Sequence, residues 1–181
     1  MDEYAVRGLL KHSESSRPMD RPALWDDPRF DNPSQPVVGV NWLKARACGR
    51  WLGDLPAPRC RCRRGSRGSR GAGADLLQGA CRLSTEAEWE RATRAGARRR
   101  GDPWPGGGGF SADRANCVEG QVLATTPVGC YSAGAGALGI EDLAGNCWEW
   151  RASRYRLYPL RPGDGRDDPA GTDPRVLRGG A

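Results

Sequence analysis

Near its C-terminal end the chain reads LGIEDLAGNCWEWRAS (Leu138 to Ser153), with Glu149 set between Trp148 and Trp150 behind a Gly145-Asn146 turn. Indole rings gain from burial, and a carboxylate held between them needs a partner of opposite charge. Two partners suit. An arginine would make an ion pair and leave the tryptophans as core anchors. A calcium ion would draw oxygens from Asp142, from the carbonyls of a Gly145–Cys147 turn and from Glu149, provided the chain loops tightly, because calcium is held by carboxylates and backbone carbonyls. Spacing alone leaves both open.

Other chemistries are poorly served. Gly106–Gly109 lacks the Lys-Ser/Thr and helix start of a phosphate loop and reads as surface loop. Cys60 and Cys62 are one residue apart and no Cys-x-x-Cys occurs, so a four-ligand zinc site is not expected. The single histidine, His12, cannot build a two-histidine iron site and would have to serve any Ser/His/Asp or Cys/His set; it reads as a surface residue. Asp164, Asp167 and Asp168 resemble a calcium loop, but the twelfth residue from Asp164 is Arg175 where a glutamate is required.

The totals bound the rest. At 181 residues with 38% apolar content, 26 glycines and 14 prolines, the chain suits one loop-rich domain, and seven tryptophans argue against disorder. No apolar run reaches the roughly 18 residues of a membrane span. The N-terminus lacks a basic start followed by an apolar stretch, so reduced thiols and a cytoplasmic location are expected. The net charge of +6 sits in one place. Residues 57–74, APRCRCRRGSRGSRGAGA, hold six arginines and no acid, and without them 22 basic residues face 22 acidic ones. No aromatic there can stack a base, so an inserted loop or a coding slip is expected rather than nucleic-acid binding.

The elements that must position these groups are few. Residues 1–36 read as a short helix and a Pro-rich loop anchored by Trp25 and Phe30. Val37–Val40 reads as a short strand ending at an Asn41 cap. Trp42, Ala45, Cys48 or Gly49, and Leu52 lie at helical spacing, with Gly53 as the stop. In RLSTEAEWERATRAG, Thr85 and Glu88 form a capping box, Glu86 favours the helix start, and Trp89, Ala92, Thr93 and Gly96 share a face. TTPVGCYS reads as a short strand and turn, residues 151–174 as loop, and Arg175–Arg178 as the beginning of a strand.

Five blocks now occur in order: VVGVNW (37–42), RLSTEAEWE (82–90), TPVG (126–129), LGIEDLAGNCWEW (138–150) and RVLRGG (175–180). Together they resemble the formylglycine-generating enzyme, or sulfatase-modifying factor, family, and WDDPRF with DGRDDP looks like a bacterial branch of it. The resemblance implies an α+β, irregular, loop-rich fold similar to the C-type lectin fold. It implies a structural calcium held by side-chain oxygens of Asp142 and Glu149 and by carbonyls of Gly145 and Cys147. A second calcium site of the family would begin at Asn116 and Cys117, but its acidic loop is not recognisable in VEGQVLATTP.

The resemblance also implies what this chain lacks. The family's oxidases use two copper-binding cysteines downstream of an RGGS block to convert a sulfatase cysteine to formylglycine. None of the seven cysteines here occupies those positions. The chain is therefore expected to be an incomplete domain over residues 1–181, without catalytic residues of its own, with copper belonging only to a complete parent and a sulfatase or an unknown ligand as partner. Relatives of the same fold include second domains of iron-dependent sulfoxide synthases, whose iron histidines lie in another domain, and non-catalytic binding modules; the last is the alternative function. Ser84 stands where the family usually has proline.

Overall fold

The computed structural model describes residues 21–54, 81–95, 104–105 and 109–180. The expectations on the first helix, His12, Cys60, Cys62, the arginine stretch 57–74 and most of the Gly106–Gly109 loop fall outside these residues. Helix α1 spans Trp42–Asp54 and α2 spans Glu86–Arg94. Two single 3-10 turns follow, at Val118–Gly120 and Ser132–Gly134. Strand β1, Trp148–Arg154, pairs with β2, Arg175–Gly179, in a two-stranded sheet. The architecture is α+β and rich in loops. The described parts of the chain divide into two compact units. One holds residues up to Asn41, Glu86–Glu149 and the chain from Leu177; the other holds Trp42–Thr85 and Trp150–Val176.

Helix α1 begins one residue after Asn41, as expected, but Gly53 lies inside it rather than ending it. Of the expected face, Trp42 and Ala45 are half-buried and Gly49 is buried, whereas Cys48 and Leu52 are exposed; Gly53 is buried as well. The reason is close approach. A Cβ on Gly49 would stand 3.2 Å from Arg82 Cα, and one on Gly53 would stand 3.3 Å from the Cys81 carbonyl. Two glycines one turn apart therefore let residues 81–82 lie directly on the helix backbone. Trp42 packs by charge as well as area: the guanidiniums of Arg175 and Arg46 lie 4.1 and 5.2 Å from its ring, and its indole N–H donates to the Arg151 carbonyl at 3.0 Å.

Helix α2 starts at Glu86, immediately after Thr85, and half-buries the expected Trp89, Ala92 and Thr93. The Val37–Val40 strand does not form. Gly39 takes φ +72° and its carbonyl accepts from Ala23 N–H at 2.9 Å, so the run is a loop stitched to residue 23. TTPVGCYS is turn without strand, tied by Val128 N–H to the Ser34 carbonyl at 2.8 Å. Trp25 is 52% exposed and is no anchor, whereas Phe30 is half-buried beneath Arg29. β1 was not expected, and its first residues overlap the supposed turn.

The interior is unusually polar. Among the described residues the buried apolar side chains are Pro105, Ala115, Leu143 and Val176, while Glu86, Asn116, Thr125, Asn146, Arg151, Ser153, Arg166 and Arg175 are also buried. Buried polar groups are as a rule hydrogen-bonded, and among these the Thr125 hydroxyl is the exception. Arg175 donates to the carbonyls of Ala152, Asp168, Pro169 and Ala170. Burial lowers its pKa, with Arg154 and Arg46 adding repulsion. Arg151 donates to Ser84 Oγ at 2.6 Å, and Ser84 O accepts from Ala152 N–H, so the serine in proline's usual place bonds to β1 through both of its oxygens.

Candidate functional site

The turn that precedes β1 is built from backbone that ordinary side chains avoid. Asp142, Gly145 and Asn146 have φ of +54°, +84° and +65°. Gly145 is required twice over: its φ is left-handed, and a Cβ would lie 2.5 Å from the Asn116 carbonyl. Asn146 is the hub. Its backbone N–H donates to Asn116 O at 2.7 Å, its Oδ1 accepts from Thr126 N–H at 2.9 Å, and its Nδ2 donates to Thr126 O at 3.1 Å. Asn116 Nδ2 reaches Ala124 O at 2.8 Å and Asn146 Oδ1 at 3.3 Å. Three segments, 116, 124–126 and 146, are thus locked by two buried asparagines.

The four expected calcium ligands, Asp142, Gly145, Cys147 and Glu149, lie in and just after this turn. Asp142 turns one carboxylate oxygen to Gly129 N–H at 2.7 Å. The Gly145 carbonyl accepts from Cys147 N–H at 2.8 Å. The Cys147 carbonyl and the Glu149 side chain do approach each other. A Cβ on Gly179 would lie 2.9 Å from Cys147 O, 3.7 Å from Glu149 Cγ and 4.0 Å from its carboxyl carbon. Among the described residues no three His, Cys, Asp or Glu side chains gather in one place. The donors are oxygens of the kinds calcium takes, and the fold brings Cys147 and Glu149 to one point beside Gly179.

The expected indole walls are half-buried: Trp148 and Trp150 each keep some surface. Trp148 lies against the RGG block, since a Cβ on Gly180 would meet its ring at 3.0 Å. Gly179 and Gly180 have φ of +87° and +81°, so both glycines of that block are fixed by backbone shape and by the turn residues they face. Asn116, the first residue of the second expected site, is committed to the asparagine network. The Cys117 thiol has its pKa pushed up, first by burial and then by Glu119. Cys48, Cys81, Cys117, Cys130 and Cys147 are free thiols.

Two arrangements escaped the sequence reading. Glu86 is 3% exposed and its carboxylate accepts from Arg178, whose guanidinium also lies 5.8 Å from the Trp89 ring. The TEAEWE and RVLRGG blocks therefore meet through an ion pair over an indole. The signal was present: both blocks carry a charge of opposite sign beside an aromatic or a glycine pair. The acidic loop DGRDD is also fully employed by protein partners. Asp164 pairs with Arg166 at 2.8 Å, Asp167 accepts from Ser153, and Asp168 pairs with Arg154 at 2.9 Å.

Residues 11–181 match the model of the sulfatase-modifying factor enzyme 1-like domain. The hercynine oxygenase of Mycobacterium tuberculosis is 42% identical over 160 residues, covering 81% of this chain and 29% of that protein. The mouse protein named inactive C-alpha-formylglycine-generating enzyme 2 is 35% identical over 80% of this chain and 36% of its own length. The formylglycine-generating enzyme of Streptomyces coelicolor is 32% identical over 82% of this chain and 42% of its own length. The chain thus spans less than half of these relatives. With the Gly-Asn turn, the TEAEWE helix and the RGG strand all in place and the match running over nearly its whole length, this chain belongs to the sulfatase-modifying factor enzyme 1-like family.

Proposed function

We propose that the chain is the ligand-holding domain of a hercynine-oxygenase-type protein, supplying scaffold and binding surface rather than the redox centre. The observation that carries this is the recurrence of hercynine oxygenases among the relatives: three of them are 34–42% identical over 69–82% of this chain, beside 28–32% for two formylglycine-generating enzymes. The residue count agrees. With one histidine in the sequence, a two-histidine metal site must draw its ligands from elsewhere in the working protein. The two helices, the short sheet and the long loops support a C-type-lectin-like scaffold. The free state of the five described cysteines supports a reducing, cytoplasmic setting.

The test is a pair of measurements on the full chain. Hercynine is titrated by calorimetry, and a sulfatase-type cysteine peptide is incubated with the chain and copper and examined by mass spectrometry. Saturable hercynine binding without peptide conversion is expected. Absence of hercynine binding, or any formylglycine product, overturns the reading. The second outcome would favour the other reading, a copper oxidase acting on a sulfatase, which the Streptomyces coelicolor match supports.

The structural metal in this reading is calcium, held by carboxylate oxygens of Asp142 and Glu149 and carbonyls of Gly145 and Cys147. The meeting of Cys147 O and Glu149 beside Gly179 supports it. A bound ion would neutralise Glu149 and fix the turn that positions β1. Calcium at 100 times its Kd should stabilise the chain by about 2.7 kcal/mol, read as a rise in melting temperature, and Glu149→Ala should abolish the rise. A melt indifferent to calcium would remove the ion from the reading.

A further inference from the structure

The loop after β1 borders an open groove of about 510 Å³ whose walls include Tyr155, Arg156, Tyr158, Arg161 and Arg166. That volume lies within the range of small-molecule sites. The groove lies wholly within the Trp150–Val176 unit and shares no residue with the turn at 142–149. Its chemistry is specific in three ways. Tyr155 and Tyr158 are 61% and 55% exposed, which is a large aromatic surface to leave in water. Arg166 is 3% exposed and already neutralised: its Nε and Nη2 both meet Asp164 Oδ2, at 2.9 and 2.8 Å, and Nε also donates to Oδ1 at 3.1 Å. Arg156 and Arg161 carry no side-chain hydrogen bond or ion pair to any described residue. The lining therefore has two unanswered guanidiniums beside two phenol rings.

We propose that this groove binds a small ring-bearing carboxylate, its ring lying against Tyr155 and Tyr158 and its carboxylate accepting from Arg156 and Arg161. Guanidinium and carboxylate match in planar, paired hydrogen bonds, and tyrosine rings give contact area at small entropic cost. The Asp164–Arg166 pair forms a rigid floor that does not compete for the anion, because its charges already satisfy one another.

The test is titration of the full chain with 4-hydroxybenzoate, followed by calorimetry and by the ring resonances of ¹³C-labelled tyrosine. Benzyl alcohol and inorganic phosphate serve as the ring-only and charge-only probes. Saturable binding of 4-hydroxybenzoate is expected, with shifts at Tyr155 and Tyr158 and with both other probes at least tenfold weaker. The double variant Arg156→Ala/Arg161→Ala should weaken binding roughly tenfold or more, and Tyr158→Phe should not. The four side chains are on the surface, so circular dichroism should show the variants folded. Failure to bind, equal binding of benzyl alcohol or of phosphate, or an unaffected double variant would each overturn the assignment. Hercynine is itself a ring-bearing carboxylate, so it is titrated against the same double variant: hercynine binding that survives the loss of 4-hydroxybenzoate binding separates this groove from the proposed function, and joint loss places hercynine in it.

Discussion

Gly179 is where backbone shape, steric room and the candidate metal turn coincide, and Gly179→Ala measures all three. The residue has φ +87°, which costs an L-residue about 1–2 kcal/mol. The new Cβ would lie 2.9 Å from Cys147 O. That atom is backbone and cannot swing aside as a long side chain would, so a further cost of about 1–3 kcal/mol is expected from overpacking. The total, on the order of 3 kcal/mol, corresponds to a fall in melting temperature of roughly 10 °C for a chain of this size. Gly163→Ala is the control. It has φ +75° and nothing within 4 Å of its Cβ, so it bears the backbone cost alone. Urea unfolding of the two variants should therefore differ by about 1–3 kcal/mol, with Gly179→Ala the weaker. Equal losses would refute the crowding. Because the Cys147 carbonyl and Glu149 are the crowded atoms, Gly179→Ala should also blunt any stabilisation by calcium, while Gly163→Ala should leave it intact.

Removing one partner of the Glu86–Arg178 pair leaves a buried charge, and Arg178→Ala should cost about 3–5 kcal/mol by urea unfolding. The double change Glu86→Gln/Arg178→Met should recover part of that loss, and a double variant no better than the single would count against the pairing. Asn146→Gly keeps the left-handed backbone but deletes the side-chain bonds to Thr126. It should lose about 1–3 kcal/mol, and a neutral result would show that the network is dispensable. Acid should destabilise the fold through Asp27 and Asp164, whose pKa values the hydrogen bonds from Arg29 and Arg166 lower from 3.8 to about 2. Their contribution is complete above the unfolded value and is lost as pH falls from about 4 through about 2. Melting curves from pH 5 to 2 should show that decline, and Asp164→Asn should make it shallower.

Legibility followed the chemistry of each segment. Helix α2 could be read because its start is written in side chains that act locally, a threonine cap with glutamates in the first turn. β1 could not, because its buried face is Arg151 and Ser153 while Trp148 and Trp150 on the other face keep some surface. An alternation of apolar and polar residues points such a strand the wrong way round, and only the bonds from Arg151 to Ser84 and from Ser153 to Asp167 explain why polar side chains go in. Val37–Val40 failed for the opposite reason. Four small or apolar residues look like a strand, but Gly39 at φ +72° breaks the extended path. In α1 the expected face holds at Trp42, Ala45 and Gly49 and fails at Leu52, because what packs most closely there is bare backbone at Gly49 and Gly53 rather than a hydrophobic stripe.

The same economy of side chains explains why the ordered blocks look as they do. A domain with so few buried apolar side chains among its described residues cannot rely on area to hold its loops, since such burial yields only about 25 cal/mol per Å². Its loops are held by directional bonds from asparagine and arginine, and by glycines that let carbonyls approach. The Gly-Asn turn needs Asn146 because one side chain both donates to and accepts from Thr126. The RGG end needs its arginine for Glu86 and its glycines for Cys147 and Trp148. Each block is thus defined by its contacts with another, and this mutual dependence lets short motifs, scattered across loops, be recognised where the elements themselves cannot. It also places Glu149 and Cys147 beside Gly179, where an added Cβ would crowd them, so in the proposed reading that corner takes an ion rather than a methyl group.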